Sequence, residues 1–274
     1  MRTFGAQGEG GVGRRRALAM VGGLGLGALV ALTPAAGAQA NPPRAGGALA
    51  ATVGRELAGV PTGDMLKAMR EVPAPKLSLP KAVKGRLLTS GGKPEVLYIG
   101  ADWCPFCATE RWPLVVALSR FGTWSHLGLT SSSSSDIFPG TASLSFYGAR
   151  FSSKYITFSG VETASNKRGA GGVYVPLAKP SPSEQKTFAA YDAQGSIPFV
   201  DFGNRFVLVG ASYNPQILSG LSASQIGARL KSTGNAVAVA IDATAGYLAL
   251  DICKLDRGQP GGFCRALSRA SGGK

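Results

Sequence analysis

The chain has 274 residues, of which 45% are hydrophobic and 16% charged, and its formal net charge is +14. A chain of this length and composition can bury a substantial core, which excludes a protein that is disordered throughout. It shows no basic stripe with interleaved aromatic residues, so nucleic acid is not an expected partner.

Residues 1–40 have the layout of a secretory signal. Three arginines at positions 14–16 precede an apolar, charge-free run at 17–32, and the small residues at 36–40 form an Ala-x-Ala cleavage site. The run contains four glycines and is short for roughly 30 Å of hydrocarbon, which favours a cleaved signal over a retained anchor. The arginines also resemble a twin-arginine export signal. We therefore expect an exported protein, secreted or held in the cell envelope.

The basic excess has two interpretations in an exported protein. It can favour a weak contact with an anionic envelope surface, or it can be a solvated basic surface with no specific partner. The longest basic run after residue 40 is only Lys167-Arg168, which favours the solvated surface.

Residues 41–93 are rich in Ala, Gly and Pro and are interpreted as an arm or linker, with one helix expected at 63–72. The main domain is expected at 94–235. It begins with the β-favouring run Val96–Ile99, followed by the cysteine motif and then by helical spacing at 114–121. Pro113 lies inside that helix, where a kink is expected.

The rest of the chain alternates between β-rich and helical patterns. A β-rich or irregular insertion is expected at about 131–182, because this stretch is rich in Ser, Thr, Gly and aromatic residues. Short strands are expected at 127–129, 144–147 and 155–161, a helix at 182–193 with Ser183 as a possible N-cap, a hairpin of 198–202 with 205–209, and helices at 222–232 and 236–255. The last helix and a disulfide loop, at 236–274, are expected to pack on the same domain. Charged residues in that helix argue against a membrane span.

Cys104-Pro105-Phe106-Cys107 stands where the predicted strand gives way to a helix. At a helix start, unpaired backbone N–H groups and the helix dipole lower the pKa of the first thiol, and a two-residue spacer brings both sulfurs within disulfide reach. Cys104 would be the N-cap and Pro105 the first helical residue. This predicts an exposed nucleophile, Cys104, and a buried resolving thiol, Cys107.

The other two cysteines, Cys253 and Cys264, flank a Gly- and Pro-containing loop. They predict a structural disulfide, with a second redox pair as the alternative. A zinc site that joins all four cysteines is disfavoured because the ten-residue spacer is too wide for a ligand knuckle. His126 is interpreted as a polar surface or helix-end residue, so no metal site is expected.

Ala101 to Cys107, following a buried strand, resembles the active-site segment of thioredoxin-fold thiol–disulfide oxidoreductases. The resemblance implies a thioredoxin-like central mixed sheet flanked by helices, an α/β fold, with the insertion between the CxxC helix and a strand that begins at a cis-proline. Ile197-Pro198 matches that proline loop. The resemblance implies that Ile197, Pro198, Trp103 and Phe106 dock the substrate beside the cysteines.

The sequence departs from that family's pattern in three respects. Tyr98 stands where the family has a buried acid, the helix proline comes six residues after Cys107 rather than five, and 90 residues separate Cys107 from Pro198. The whole-chain pattern, with Glu110-Arg111-Trp112 and the C-terminal cysteine pair, looks like an exported prokaryotic thioredoxin-like family catalogued only as a domain of unknown function.

Two functions therefore follow from the sequence. The first is an exported oxidoreductase that acts on protein thiols or disulfides through Cys104 and Cys107, with no cofactor and with a membrane redox partner as a possible electron source. The second is a non-catalytic envelope binding protein on the same scaffold, in which both cysteine pairs are structural disulfides.

Overall fold

The computed structural model describes residues 47–272. The predicted signal at 1–40 therefore lies outside the described residues. Within them, the helices are α1 (Gly47–Ala58), α2 (Thr62–Glu71), α3 (Pro105–Leu118), α4 (Pro182–Tyr191), α5 (Ala223–Arg229), α6 (Ala236–Leu255) and α7 (Gly261–Ala270). The strands are β1 (Lys81–Ala82), β2 (Thr89–Ser90), β3 (Lys93–Gly100), β4 (Gly122–Ser125), β5 (Gly128–Ser131), β6 (Ala142–Ser145), β7 (Arg150–Ser153), β8 (Thr157–Glu162), β9 (Ala164–Arg168), β10 (Tyr174–Pro176), β11 (Phe199–Phe202) and β12 (Phe206–Val209).

The central sheet is mixed and is flanked by helices, as the α/β prediction requires. Its order is β1-β12-β11-β3, with β8 along the other edge of β3 and β2 paired to the first residues of β3. β8 runs parallel to β3 with Gly100 opposite Glu162, whereas β11 is antiparallel to β3 with Phe199 opposite Ile99. β3 is thus hydrogen-bonded on both sides, which suits its continuous apolar sequence.

Alternate residues of β3 point into two different cores. Val96 and Tyr98 lie in the larger core with α1, α2, α3 and α6, and Leu97 and Ile99 lie in a smaller core with Phe188 of α4. Because both faces of the sheet are covered, the end of β3 leads into a region of the molecule that is fixed from two sides.

Residues 41–93 were interpreted as an arm or a linker, and the described part of this range is an arm that wraps around the main core. Val53 and Leu57 of α1, with Met65 and Met69 of α2, are almost fully buried there. α2 confirms the helix expected at 63–72, but α1 was not predicted. Its Ala- and Gly-rich sequence was interpreted only as part of the arm or linker, whereas Ala50, Val53 and Leu57 share one buried helical face.

The extent of the predicted insertion also needs correction. The range 131–182 contains β8, which belongs to the central sheet and is not part of an insertion. The added structure consists of two small hairpin-like sheets, β4 with β7 and β5 with β6, before β8, and the pair β9 and β10 after it. The strand expected at 127–129 corresponds to β5, which pairs with β6 away from the central sheet.

One local prediction about a helix, the N-cap of α4, is also changed. The N-cap of α4 is Ser181, not Ser183, since Ser181 and Glu184 form a capping box and Pro182 takes the first helical position. α3 runs without interruption through Pro113. The ring leaves the carbonyl of Thr109 without its helical donor, and the Tyr213 hydroxyl donates to that carbonyl at 3.1 Å.

Within the described part of the chain, only α6 is long and apolar enough to cross a membrane by length and composition. Most of its apolar window, 72%, is buried inside the protein, where it packs on α2, α3 and α7. A core helix of a soluble protein meets the same criteria, so this helix is weak evidence for a membrane span.

Candidate functional site

Cys104 caps the N-terminus of α3. Its backbone is extended, its sulfur accepts the N–H of Cys107 at 3.2 Å, and Pro105 occupies the first helical turn. The capping geometry was predicted from the spacing of the motif, and the local structure agrees with it. The Cys104 sulfur therefore lies among the unpaired N–H groups at the positive end of the helix dipole.

The Ile197-Pro198 segment faces this sulfur across the loop. The thiol of Cys104 donates to the carbonyl of Ile197 at 3.7 Å, and the peptide between Ile197 and Pro198 is cis. Pro198 immediately precedes β11, whose residues pair with β3, so the central sheet carries both halves of the site. The structure thus brings together two segments that are 93 residues apart.

The two thiols have opposite electrostatic environments. The pKa of Cys104 is lowered, chiefly by the hydrogen bond with the Cys107 side chain and with help from backbone N–H groups and the charge of Arg111, although burial opposes this. The pKa of Cys107 is raised well above its ordinary value, first by burial and then by its interaction with Cys104. This asymmetry is the one needed for a nucleophilic first thiol and a protonated second thiol.

The expectation of an exposed nucleophile is not met. Cys104 is only 3% exposed and Cys107 is fully buried. The Cys104 sulfur lies between the Cys107 N–H and the carbonyl of Ile197, and the loop after β5 lies against the neighbouring residue, because Ser133 N–H donates to the carbonyl of Trp103 at 2.8 Å.

Aromatic side chains form a rim beside the cysteines. Trp103 stacks on Tyr174 with ring centroids 5.1 Å apart. The Arg168 guanidinium lies over the Tyr174 ring, 4.2 Å from its centroid. Phe106 meets Phe138 edge to face at 5.8 Å. The β9–β10 pair and the loop after β5 therefore supply partners for both of the predicted docking aromatics.

Exposed apolar side chains cluster in the same part of the chain. Six large ones are exposed among the described residues, and five of these are Phe106, Ile137, Val173, Val175 and Val209. Phe106 belongs to the motif, and Val209 is paired in register with Phe199, the residue that follows Pro198. The other three are next in the sequence to the rim aromatics Phe138 and Tyr174. Because successive side chains of a strand point to opposite faces, Val173 and Val175 lie on the other side of their segment from Tyr174, and Phe106 is the exposed apolar residue of the motif itself.

A buried ion pair beneath the motif was not predicted. Arg111, one turn after Cys107, donates from Nε and Nη2 to the carboxylate of Glu162 at 2.8 and 2.6 Å, and both side chains are fully buried. The guanidinium also donates to the carbonyl of Ala101 at 2.7 Å. Arg111 thereby ties α3 to the end of β8 and to the loop that carries the first cysteine.

The neighbours of Arg111 in the sequence are anchors as well. Glu110 is fully buried and accepts the N–H and the hydroxyl of Ser212 at 2.7 and 3.1 Å. Burial raises its pKa to about 8. Trp112 donates from its indole to the carbonyl of Ala142 at 3.0 Å. These three consecutive residues hold α3 to three different segments.

Tyr98, at the position where a buried acid was expected from the resemblance, is fully buried. Its hydroxyl has no hydrogen-bond partner among the described residues. Its ring packs edge to face on Phe146, and the Arg111 guanidinium lies 5.7 Å from the ring centroid. A Cβ at Gly100 would lie 2.2 Å from the hydroxyl, so only glycine fits there without movement.

Cys253 and Cys264 form a disulfide that joins α6 to α7, and both are buried. They are therefore not available as metal ligands, and no cluster of His, Cys, Asp or Glu within residues 47–272 could hold a metal ion. His126 lies on the surface in the turn between β4 and β5, as its sequence context predicted.

We expect the double substitution Cys253→Ser/Cys264→Ser to lower the free energy of unfolding by about 2–3 kcal/mol, because the short loop is no longer constrained in the unfolded chain. Denaturant unfolding under non-reducing conditions measures this change. The reactivity of Cys104 should stay the same. A folded double variant in which Cys104 had become inert would instead favour the second redox pair.

The fold and site together define a mixed α/β protein with two buried thiols at a helix start, opposite a proline loop. A family model described as Domain of unknown function (DUF929) matches residues 80–177. This match confirms the predicted similarity to a family catalogued as a domain of unknown function, over the region from β1 to just past β10. No curated protein and no solved structure matches the chain.

Proposed function

We propose that the protein is an exported thiol–disulfide oxidoreductase with a thioredoxin-like scaffold, acting on protein thiols or disulfides. One observation carries the proposal: the Cys104 sulfur accepts the Cys107 N–H at 3.2 Å at the start of α3 and lies 3.7 Å from the Ile197 carbonyl. A sulfur in this position has a lowered pKa and an adjacent backbone edge.

The strand order supports the scaffold. A strand, the motif helix and a parallel strand, β3-α3-β8, are followed by the antiparallel hairpin β11-β12, in the order β8-β3-β11-β12. The helix α4 lies between β8 and β11 in the chain, and α6 comes after β12. The hairpins added on either side of β8 enlarge this frame without interrupting the sheet.

The proposed cycle begins with the Cys104 thiolate attacking one sulfur of a substrate disulfide. A Cys104–substrate bond forms, the substrate disulfide breaks, and the second substrate sulfur leaves as a thiolate that takes up a proton. Cys107 then loses its proton and attacks the Cys104 sulfur, so the Cys104–Cys107 bond forms and the first substrate sulfur leaves and is protonated. Two protein thiols are oxidised and one substrate disulfide is reduced; the reverse sequence oxidises a substrate.

The surface around the motif supports a protein substrate. Phe106 and Trp103 stand beside Cys104, and Ile197 and Pro198 offer the opposing backbone. Phe106 is 38% exposed, so one apolar side chain of the motif is open to a partner. Export belongs to the proposal because of the secretory signal predicted at residues 1–40. A membrane redox partner belongs to it because the cycle needs an electron donor or acceptor to renew the cysteine pair.

The competing function, a non-catalytic envelope binding protein, is favoured by the burial of Cys104, which is 3% exposed. In that case the aromatic rim binds a partner and the cysteines form a permanent disulfide. For the exchange function, a substrate sulfur must reach the Cys104 sulfur, which is buried in the described structure.

Reduction of a protein disulfide such as insulin by the purified protein in the presence of dithiothreitol tests the proposal. We expect a measurable acceleration over dithiothreitol alone, and we expect Cys104→Ser to lose it. The control is Cys253→Ser/Cys264→Ser, which removes the other cysteine pair of the described residues and should remain active. Activity that is unchanged in Cys104→Ser would overturn the enzymatic function.

A further inference from the structure

Cys107 has to become a thiolate inside the protein before it can attack a mixed disulfide. It is fully buried, and burial raises its pKa well above the ordinary value. Where water is excluded, the energy of a forming charge depends strongly on the fixed charges nearby. The groups around Cys107 should therefore determine how easily this proton leaves.

The ionisable groups that act on Cys107 come from the start of α3, from α3 itself and from two neighbouring strands of the central sheet. They are Cys104 and Arg111 on α3, Tyr98 on β3, and Glu162 at the end of β8. Asp102 in the preceding loop approaches the Arg111 guanidinium at 3.8 Å. Among the described residues acting on this thiol, Arg111 is the cation.

The ion pair is held rigidly under the motif. Arg111 is four residues after Cys107 on the same helix, so the two side chains share a face. The carbonyl of Ala101 accepts both the Arg111 guanidinium at 2.7 Å and the Cys104 N–H at 3.2 Å. Ser143 extends the cluster, because its hydroxyl donates to the carbonyl of Ala108 at 2.8 Å and lies 3.4 Å from Arg111 Nη1.

The two charges of the pair act on Cys107 in opposite directions. The positive charge of Arg111 stabilises a thiolate and lowers the pKa of Cys107, whereas the negative charge of Glu162 raises it, and the effect of Arg111 is the larger of the two. Because the carboxylate cancels part of the guanidinium charge, the intact pair lowers the pKa of Cys107 less than Arg111 alone would.

We propose that the balance of charge in the buried Arg111–Glu162 pair controls how readily Cys107 gives up its proton, and hence how fast a mixed disulfide at Cys104 is resolved. Arg111 and Glu162 are then positioning residues that never touch the substrate. In the resolving step the proton leaves Cys107, the Cys104–Cys107 bond forms, the Cys104–substrate bond breaks, and the departing substrate sulfur is protonated. The functional meaning of this inference rests on the proposed exchange reaction.

The test is a pH titration of Cys107 in the reduced protein, followed by NMR of its labelled Cβ. We expect Glu162→Gln to lower the pKa of Cys107 by about 1, since it removes the negative charge and keeps the side-chain size. Glu110→Gln is the matched control: it is the same substitution at another fully buried glutamate of the motif helix region, bound to Ser212 and not to Arg111. It should leave the Cys107 titration unchanged.

A second variant covers the case in which Glu162→Gln fails to fold because Arg111 is left unpaired. Arg111→Gln/Glu162→Gln removes both charges and leaves no isolated buried ion. We expect the pKa of Cys107 to be higher in this double variant than in the wild-type protein, because the larger effect, that of Arg111, is lost. The expected order of pKa is double variant, wild type, Glu162→Gln, from highest to lowest. An equal pKa in the three proteins, or a shift in Glu110→Gln as large as in Glu162→Gln, would overturn the inference.

The titration is independent of catalysis. If the expected order is found while the protein reduces no substrate disulfide, the tuning of Cys107 stands and the proposed function fails. If the protein is active but the order is absent, the function stands and this inference fails. In an active protein, the tenfold larger thiolate fraction of Glu162→Gln at neutral pH should also speed resolution by about three- to tenfold.

Discussion

Cys107→Ser is expected to turn the protein into a trap for its substrates. Cys104 keeps its place at the start of α3, and the hydroxyl of serine cannot attack the mixed disulfide. The covalent complex should therefore accumulate, with a lifetime at least about a thousandfold longer than in the wild-type protein, because the loss of the resolving thiol leaves only external thiols to release the substrate. Non-reducing electrophoresis and mass spectrometry of the adduct with a disulfide-containing peptide measure it.

Two controls define this result. Cys104→Ser, which removes the attacking sulfur, should form no adduct, and added dithiothreitol should release the adduct from Cys107→Ser. An adduct mapped to Cys107 in the Cys104→Ser protein would contradict the assignment of roles, since it would make the fully buried thiol the nucleophile.

The free energy of unfolding is expected to fall as the pH rises from about 4.5 to 8. Glu110 is buried with no cation paired to it among the described residues, and burial raises its pKa from 4.5 to about 8. A carboxyl whose pKa is higher in the folded protein stabilises the fold fully below the unfolded value of 4.5, and this contribution is lost as the pH approaches 8. The difference for Glu110 is on the order of 4 kcal/mol. Asp201 and Asp242, with pKa values raised to about 7 by burial, act in the same direction.

Glu110→Gln isolates the contribution of this carboxyl. Glutamine keeps the size of the side chain and an oxygen for the Ser212 N–H, which is bound at 2.7 Å in the native protein. We expect the variant to match the wild-type stability near pH 5 and to exceed it near pH 8, by urea unfolding at both pH values. Glu71→Gln, at an exposed surface pair with Lys67, should change neither value by more than about 0.5 kcal/mol. A wild-type stability that rises over this pH range, or an unchanged slope in Glu110→Gln, would contradict the prediction.

The parts of the fold that could be predicted are those with local signals. Three examples are the apolar run of β3, the glycine turn before β12 and the long apolar pattern of α6. Each of these signals is formed by residues that are neighbours in the sequence. The cap formed by Cys104 is local as well, because a two-residue spacer and Pro105 already favour a helix start.

The approach of Ile197 to Cys104 was predicted through the resemblance, whereas other features that depend on distant contacts were not. Arg111 and Glu162 are 51 residues apart, and nothing in the spacing of either residue indicates the other. The burial of Cys104, whose sulfur lies against the carbonyl of Ile197, is likewise not indicated by the motif itself. By contrast, α1 had a readable signal in the spacing of its buried residues, which the Ala- and Gly-rich composition obscured. α7 was hidden in the same way by the glycines at its start.

The central claim is that Cys104 and Cys107 exchange bonds with other sulfurs, and their redox equilibrium with glutathione tests it most directly. The fraction of the pair that is oxidised would be followed by thiol alkylation and mass spectrometry over a series of glutathione ratios. We expect a reversible equilibrium with a potential between about −270 and −120 mV, the range of thioredoxin-like enzymes. A pair that stays oxidised at every ratio, with a potential below about −300 mV, would be a structural disulfide and would contradict the claim.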